Sequence, residues 1–426
     1  MSDKKYPLSA EQYGYYNHWK NTGKTTAVPF RLEYENGTDV KRLAESFVKV
    51  VNAHKFLKAN VASGDVPYWV RNDDAEVSVK IFEVSSEEFE KIQDDFFQQP
   101  ELNPDMAKDP LYYFAVFRVD GTGVYALGGL NHIYYDGITR DIIIEDIIRA
   151  YNGEDLAPDG GAGFEEGNYE VAAQKSEKFA ESVLFYDELF KHYKEVILDF
   201  KNAPDAALTE GTGIARLPLE SAKVNGFCAK TKISPNVLFL AGLCRAANAL
   251  SGEEHLFFGS NTAGRAKRGI NREAGLFVRN FPLILKIDAS LEGIDFVKSI
   301  KEQYYNILKN HTEYTSSIAQ ERHGFKVRIN YLFQAGIGGA DEAMNKIYPK
   351  PACTDTSWGM FLKVFIPSFG NVFDIGAQVF ETKVPQFDNQ KHYVFVFSYN
   401  TEVYADDTMK KVTKMIGDFI KGVIEE

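Results

Sequence analysis

Asn131-His132-Ile133-Tyr134-Tyr135-Asp136-Gly137 places a histidine, an aspartate and a glycine where a strand gives way to a helix. Upstream, Leu111 to Val119 (LYYFAVFRV) is rich in aromatic and β-branched residues, and Asp120-Gly121-Thr122-Gly123 has turn chemistry. Val124 to Leu130 then leads into the motif, so the expected unit is a hairpin that presents His132 at a strand end. Downstream, Ile138, Ile142, Ile143, Ile147, Ile148 and Tyr151 recur at helical spacing. Asp141 sits in the first turn, where the helix dipole favours an anion, and Asn152-Gly153 stops the helix. Gly137 is expected to let the chain turn without a Cβ.

Toward the N-terminus, Ser9 reads as the N-cap of a helix through Trp19, and Val28 to Glu35 as a strand ended by Asn36-Gly37. Thr38 is expected to cap a helix with Val40, Leu43, Phe47, Val48 and Val51 on one face, followed by extended sequence through Val70 and at Val77 to Val84. Pro158 to Asn168 (PDGGAGFEEGN) has the composition of a surface loop. Its glycines have the wrong spacing for a nucleotide loop, follow no strand, and carry two acids where a phosphate would sit. The charged run from Tyr169 to Val196 reads as a helical bridge between two halves. Beyond it, Ser234-Pro235 starts a helix over Val237 to Leu250, with further helices at Ile294 to Lys309 and Asp407 to Ile424. Strands or extended segments are expected at His255–Gly259, Phe281–Ile287, Val327–Phe333, Phe361–Pro367, Phe373–Phe380 and Tyr393–Tyr399. Strands alternating with helices imply layered α/β (α+β) units.

A chain of 426 residues exceeds the size at which one core keeps growing, so two core units are expected, divided near residues 168 and 169. With 44% hydrophobic, 25% charged and 14% aromatic residues, the composition is that of a folded protein. A net charge of -12 argues against nucleic acid as a partner. Cys228, Cys244 and Cys353 form neither a disulfide framework nor a zinc pattern, so no metal site and a reducing compartment are expected. No stretch approaches the roughly 20 apolar residues of a membrane span, and MSDKKYPLSAEQYGYY lacks an apolar signal core, which favours a cytoplasmic location. Neither a Gly-x-Ser-x-Gly elbow nor a Walker lysine loop is present, which leaves direct transfer without a covalent intermediate.

Five features occur in a telling order: Leu8-Ser9 with Gln12, His54-Lys55-Phe56-Leu57-Lys58, the HxxxDG core His132 to Gly137, Phe258-Gly259 with Gly264-Arg265, and Gly275-Leu276-Phe277-Val278 with Pro282-Leu283. Together they resemble the condensation domains of nonribosomal peptide synthetases, within the chloramphenicol-acetyltransferase-like acyltransferase superfamily. There are departures. The family's first motif histidine is Asn131 here, its early arginine is Lys58, Arg279 stands where asparagine is common, and the stretch from Thr312 to Phe325 is shorter. The resemblance implies two acyltransferase-like lobes in a V-shaped pseudo-dimer. Residues 1–168 would form the lobe carrying the motif and 169–426 the second, with His132 at the seam of a substrate tunnel.

Each candidate has a functional and a plain structural reading. A neutral imidazole at His132 can accept a hydrogen bond from an attacking amine and, once protonated, stabilise developing charge; a histidine between apolar residues is equally a structural type. Asp136 is an N-cap for the following helix or, by the resemblance, an ion-pair partner that shapes the loop, here with Lys58. Asn131 is an amide beside the site or polar filler facing solvent. Arg265, Lys267, Arg268 and Arg272 form a basic loop that either meets a phosphopantetheine phosphate or acidic carrier protein, or is simply solvated. Ser260, Asn330, Tyr331 and Gln334 line a tunnel or occupy ordinary strand positions.

The resemblance implies condensation of a carrier-bound acyl or aminoacyl thioester with an amine. The partners would be acyl or peptidyl carrier proteins that supply the phosphopantetheine arm, with no cofactor bound permanently. Two alternatives accompany it: a free-standing acyltransferase using acyl coenzyme A or one carrier with a soluble amine or alcohol, and a silent carrier-docking domain.

Overall fold

Nine consecutive buried residues, Gly123–Asn131, form the middle strand of the first sheet. The reason lies in the two faces it serves. Val124, Ala126 and Leu130 join a core with Leu43, Phe47 and Val50 of the Val40–Ala53 helix and Ile143 and Ile147 of the Gly137–Tyr151 helix. Tyr125 and Leu127 point into a second core with Phe89 and Phe96 of the Ser86–Gln98 helix. A strand covered on both sides reads as a continuous apolar run, which is what Val124 to Leu130 shows. Gly128 belongs there because a Cβ would lie 2.1 Å from the ring of Phe30, its cross-strand partner.

The structure, a computed structural model, describes residues 4–64, 66–98, 104–193, 212–336, 339–357, 373–384, 387 and 390–426. The chain divides into two compact units. Unit 1 comprises Met1–Ala172, Ala263–Val278 and Ile337–Leu362; unit 2 comprises Ala173–Thr262, Arg279–Gly336 and Lys363–Glu426. The sheet of unit 1 runs in the order Cys353–Asp355, Ala27–Tyr34, Gly123–Asn131, Tyr112–Val119, Lys80–Val84, antiparallel except for the last pair. A contiguous second lobe over 169–426 therefore does not match. Cys353–Asp355 is an edge strand of the first sheet, and Ala263–Val278 is held to unit 1 by buried polar contacts described below.

Unit 2 is built on six strands, ordered Arg279–Lys286, His255–Thr262, Ile329–Phe333, Ile375–Val384, Gln390–Asn400, Thr212–Glu220. One face packs under the helices Pro235–Ser251, Gly293–Asn310 and Asp406–Glu425, through residues such as Leu240, Phe296 and Ile416 against Phe258, Tyr331 and Phe395. The other receives Tyr186 and Phe190 of the Glu177–His192 helix. No single helix among the described residues is long and apolar enough to cross a membrane.

Several local expectations hold and others fail for identifiable reasons. Ser9 caps Ala10–Thr22 in a reciprocal capping box with Gln12, and Ser234 caps Pro235–Ser251, which Gly252 ends in a left-handed conformation. Thr38 is not a cap: its hydroxyl donates to the Glu35 carbonyl, and Asp39 accepts from the amides of Lys41 and Arg42 instead. Gly137 is the first helical residue and takes no left-handed φ. The expected segment Phe361–Pro367 and the end of the bridge, 194–196, lie outside the described residues.

The largest correction concerns Pro158 to Asn168, which is not a surface loop beyond its first residues. Ala162–Ala173 is a helix whose glycines are contact points: a Cβ at Gly163 would meet Phe56 at 2.5 Å, and one at Gly167 would meet the Pro7 carbonyl at 2.2 Å. Glycine there permits close approach rather than turning. Gly167→Ala is therefore expected to destabilise the protein by about 1–3 kcal/mol, read as a lower urea midpoint with an unchanged slope. An unchanged midpoint would show that this helix does not pack as described.

Candidate active site around His132 and Asp136

The motif folds as strand, single turn and helix. Asn131 ends the strand and caps the 3-10 turn His132–Tyr134, its Oδ1 accepting from the Ile133 amide. The His132 amide donates to the Thr26 carbonyl at 2.7 Å, which fixes the backbone beneath the imidazole. Asn131 is 1% exposed, so it is not solvent-facing filler, and its Nδ2 has no hydrogen-bond partner.

The ring of His132 stacks on Tyr15 with centroids 4.9 Å apart and planes 13° apart, and meets the edge of Tyr135 at 6.0 Å. Its Nδ1 is buried without a hydrogen-bond partner. Burial holds the imidazole below its ordinary value of 6.5, opposed by main-chain groups of His132 itself and Tyr135 and by the charge of Asp136. A histidine in that state is neutral near pH 7 and able to accept a proton.

Asp136 is committed elsewhere. Its Oδ1 accepts from the Thr139 amide at 2.8 Å, the N-cap bond of the Gly137–Tyr151 helix, and from Arg265 Nη2 at 2.7 Å; its Oδ2 accepts from the Phe277 amide at 3.1 Å. Both expected roles thus coexist, but the ion-pair partner is Arg265 and not Lys58. Lys58 Nζ donates to Asn52 Oδ1 and to the carbonyls of Asp73 and Ala75, tying its own turn to the following loop. Spacing alone could not distinguish a cation near in sequence from one 129 residues away.

Arg265 is correspondingly not a substrate or carrier contact. It is 2% exposed and also donates to Thr139 Oγ1 and to the carbonyls of Glu273 and Gly275, with its guanidinium over the Phe277 ring at 4.5 Å. Gly264 makes this possible: its φ of 67° is left-handed, and a Cβ would sit 2.0 Å from the Phe277 carbonyl oxygen. The neighbouring cations are also engaged, Arg268 with Glu166 and Arg272 with Glu145 and Asp146. The side chain of Lys267 lies outside the described residues.

The sequence reading gave His54 no chemical role, yet it is the most strongly bonded histidine in unit 1. Nε2 meets Asp146 Oδ2 at 2.9 Å and Nδ1 meets Asp159 Oδ1 at 2.8 Å, with the residue 2% exposed. Burial alone would lower its pKa; the two carboxylates outweigh it and raise it to about 9. Asp159 also accepts from the Ala274 amide, so the pair braces the same 263–278 segment that Arg265 holds. Nothing in local spacing signals this, because Asp146 and Asp159 are 92 and 105 residues away.

The remaining candidates belong to unit 2. Ser260 is buried opposite Phe281, Asn330 is buried beside Gly259 and Gly376, and the Gln334 amide donates to the Val379 carbonyl just past its strand. Tyr331 is a core residue whose hydroxyl donates to the Asn236 carbonyl. Arg279 is buried, with Nε 3.4 Å from Glu313.

A histidine at a strand end, with its aspartate locked to a distant arginine beside a sheet flanked by helices, is the arrangement in which the motif is held. The family description "Condensation domain" matches residues 2–426, and the chain belongs to that family. Surfactin synthase subunit 1 of Bacillus subtilis (strain 168) is 23% identical over 436 residues, covering 95% of this chain and 11% of the relative. Bacitracin synthase 2 of Bacillus licheniformis is 21% identical over 424 residues, covering 97% and 15%. The chain thus spans only about a tenth of the length of such relatives. Among solved structures, the condensation domain from Monacolin K polyketide synthase superposes with a TM-score of 0.76 at 13% identity, covering 99% of this chain and 98% of that one. An epimerization domain of tyrocidine synthetase B gives 0.75 at 17% identity, covering 99% and 96%. These likenesses establish a shared fold.

Two outcomes are expected. Asp136→Ala and Arg265→Ala should each cost about 3–5 kcal/mol, because either leaves a buried charge without its partner, and in a double-mutant cycle the two losses should be strongly non-additive. Additive losses in chemical denaturation would show that the pair is not coupled. For His54 the sign follows from a folded pKa raised above 6.5: its stabilisation is complete below about pH 6.5 and is lost as pH rises through about 9. The stability gap between the wild type and His54→Gln should therefore narrow on going from pH 6 toward pH 10, in melts at matched ionic strength.

Proposed function

We propose that this domain forms an amide bond between a carrier-bound acyl or aminoacyl thioester and an amine, with His132 positioning the amine and taking its proton. The amine nitrogen attacks the thioester carbonyl carbon to give a tetrahedral species. Collapse breaks the C–S bond, and the proton accepted by the imidazole passes to the departing thiolate, leaving amide and free thiol. The phosphopantetheine arm arrives as part of the substrate on an acyl or peptidyl carrier protein, so carrier proteins are the partners in this reading.

The observation that carries the proposal is the state of His132. Its imidazole is held neutral by burial at the end of a strand, in a chain whose family is that of condensation domains. Asp136 supports it indirectly, since a carboxylate occupied by Arg265, Thr139 and Phe277 leaves the imidazole as the proton acceptor. A second reading, a domain that docks carrier proteins without chemistry, draws on Asn131 in place of the first motif histidine.

His132→Ala should lower the rate of product formation by about 10²–10⁴-fold in single-turnover mass spectrometry with loaded carriers. In the wild type, kcat/KM should fall as pH drops through a pKa below 6.5, because only the neutral ring accepts the proton. Product formation unchanged by His132→Ala, set against loss of carrier binding in a surface-patch mutant, favours the docking reading. Equal turnover of acyl coenzyme A and acyl carrier favours a free-standing acyltransferase.

A further inference from the structure

Proton transfer needs the imidazole held in one plane, and a base is usually oriented by a carboxylate bonded to its second nitrogen. Here that device is missing. Nδ1 of His132 has no hydrogen-bond partner, and both oxygens of Asp136 are engaged with Thr139, Arg265 and Phe277. The backbone bond from the His132 amide to Thr26 fixes the Cα, and main-chain groups of His132 and Tyr135 act on the imidazole to favour its protonated form. Against the ring itself lie two aromatic groups, Tyr15 stacked nearly parallel and Tyr135 edge-on.

Tyr15 comes from the Ala10–Thr22 helix, whose position is set from several sides. Ser9 and Gln12 close the capping box, Gln12 Oε1 also accepts from Trp69 Nε1 at 3.1 Å, and the Ala10 amide donates to Glu170 at 2.7 Å. The next residue, Tyr16, is buried in the core of unit 1 and reaches Ser63 through its hydroxyl. Tyr15 is therefore presented from a clamped helix turn, a rigid support for a side chain that must be placed to within a fraction of an ångström.

We propose that Tyr15 is a positioning residue for His132: its ring, in place of a carboxylate, sets the plane of the imidazole and shields one of its faces from water. This rests on the reading of His132 given above. Burial raises the Tyr15 hydroxyl well above its ordinary value, with Glu11 adding to the effect, so the phenol stays neutral and adds no charge of its own. Of the titratable groups around the ring, Asp136 is the charged one, while Tyr135 is likewise kept neutral by burial.

The test compares Tyr15→Leu with Tyr15→Phe, in kcat, KM and the titration of His132 followed by imidazole NMR. Tyr15→Leu should lower kcat by about tenfold or more with KM within about twofold, because misplacement of a reacting group acts on the transition state. The His132 pKa should rise toward 6.5 as water replaces the covering ring. Tyr15→Phe, which keeps the face and loses the hydroxyl, should retain most of the rate and an unshifted titration. Equal loss in both variants, or a leucine variant unchanged in rate and titration, overturns the proposal. The NMR arm needs no turnover: if His132→Ala proved fully active, the proposed function would fail, whereas only an unshifted titration in Tyr15→Leu would remove the stacking contact.

Discussion

The interaction on which the rest of unit 1 depends is the buried pair of Asp136 and Arg265, each 2% exposed. Taking both charges out of water is costly, and the pair alone would not recover that cost. It is tolerable because the remaining hydrogen-bonding capacity is largely used: the carboxylate also accepts from the amides of Thr139 and Phe277, and the guanidinium also donates to Thr139, Glu273 and Gly275. One consequence is topological. The Ala263–Val278 segment is bound to the start of the Gly137–Tyr151 helix and so belongs to unit 1 despite its position late in the chain. Another is chemical, since the turn that carries His132 is pinned at its far end while the imidazole stays uncharged.

The same logic recurs around it. Arg140 pairs with Asp355 and bonds Ser357, holding the Cys353–Asp355 edge strand to unit 1, and Glu273 accepts from the amides of Gly160, Gly161 and Ala162 at the beginning of the Ala162–Ala173 helix. Each late segment is attached by a buried or half-buried charge whose partner lies more than 100 residues away. Much of the cationic character of the basic loop is spent internally in this way.

What was legible in the sequence was whatever local periodicity or capping encodes. The hairpin before His132, the helix after it, the Ser9 and Ser234 caps and the closing helix all follow from residues within a few positions of one another. The partners of Asp136 and His54 were not legible, because a charge carries no local mark of which opposite charge it meets. Lys58 looked suitable by sequence order, yet its ammonium is satisfied by two carbonyls and an amide nearby. Composition misled at Pro158 to Asn168 for a related reason: Gly163 and Gly167 are there for close approach to Phe56 and Pro7, a tertiary demand that resembles loop chemistry when read along the chain.

His54 and His132 show how one side-chain type is divided between structure and chemistry. His54 is buried and His132 half-buried, which in each case disfavours the imidazolium. His54 has a carboxylate on each nitrogen and is driven to about 9, so near pH 7 it is a fixed cation with no proton to accept. His132 has an aromatic face and an unpartnered nitrogen, and its basic form prevails at the same pH. Asp136 raises the His132 pKa through its charge, but its oxygens are bonded to Arg265, Thr139 and Phe277, and burial prevails; in this sense the architecture of the loop and the neutrality of the proposed base are one arrangement.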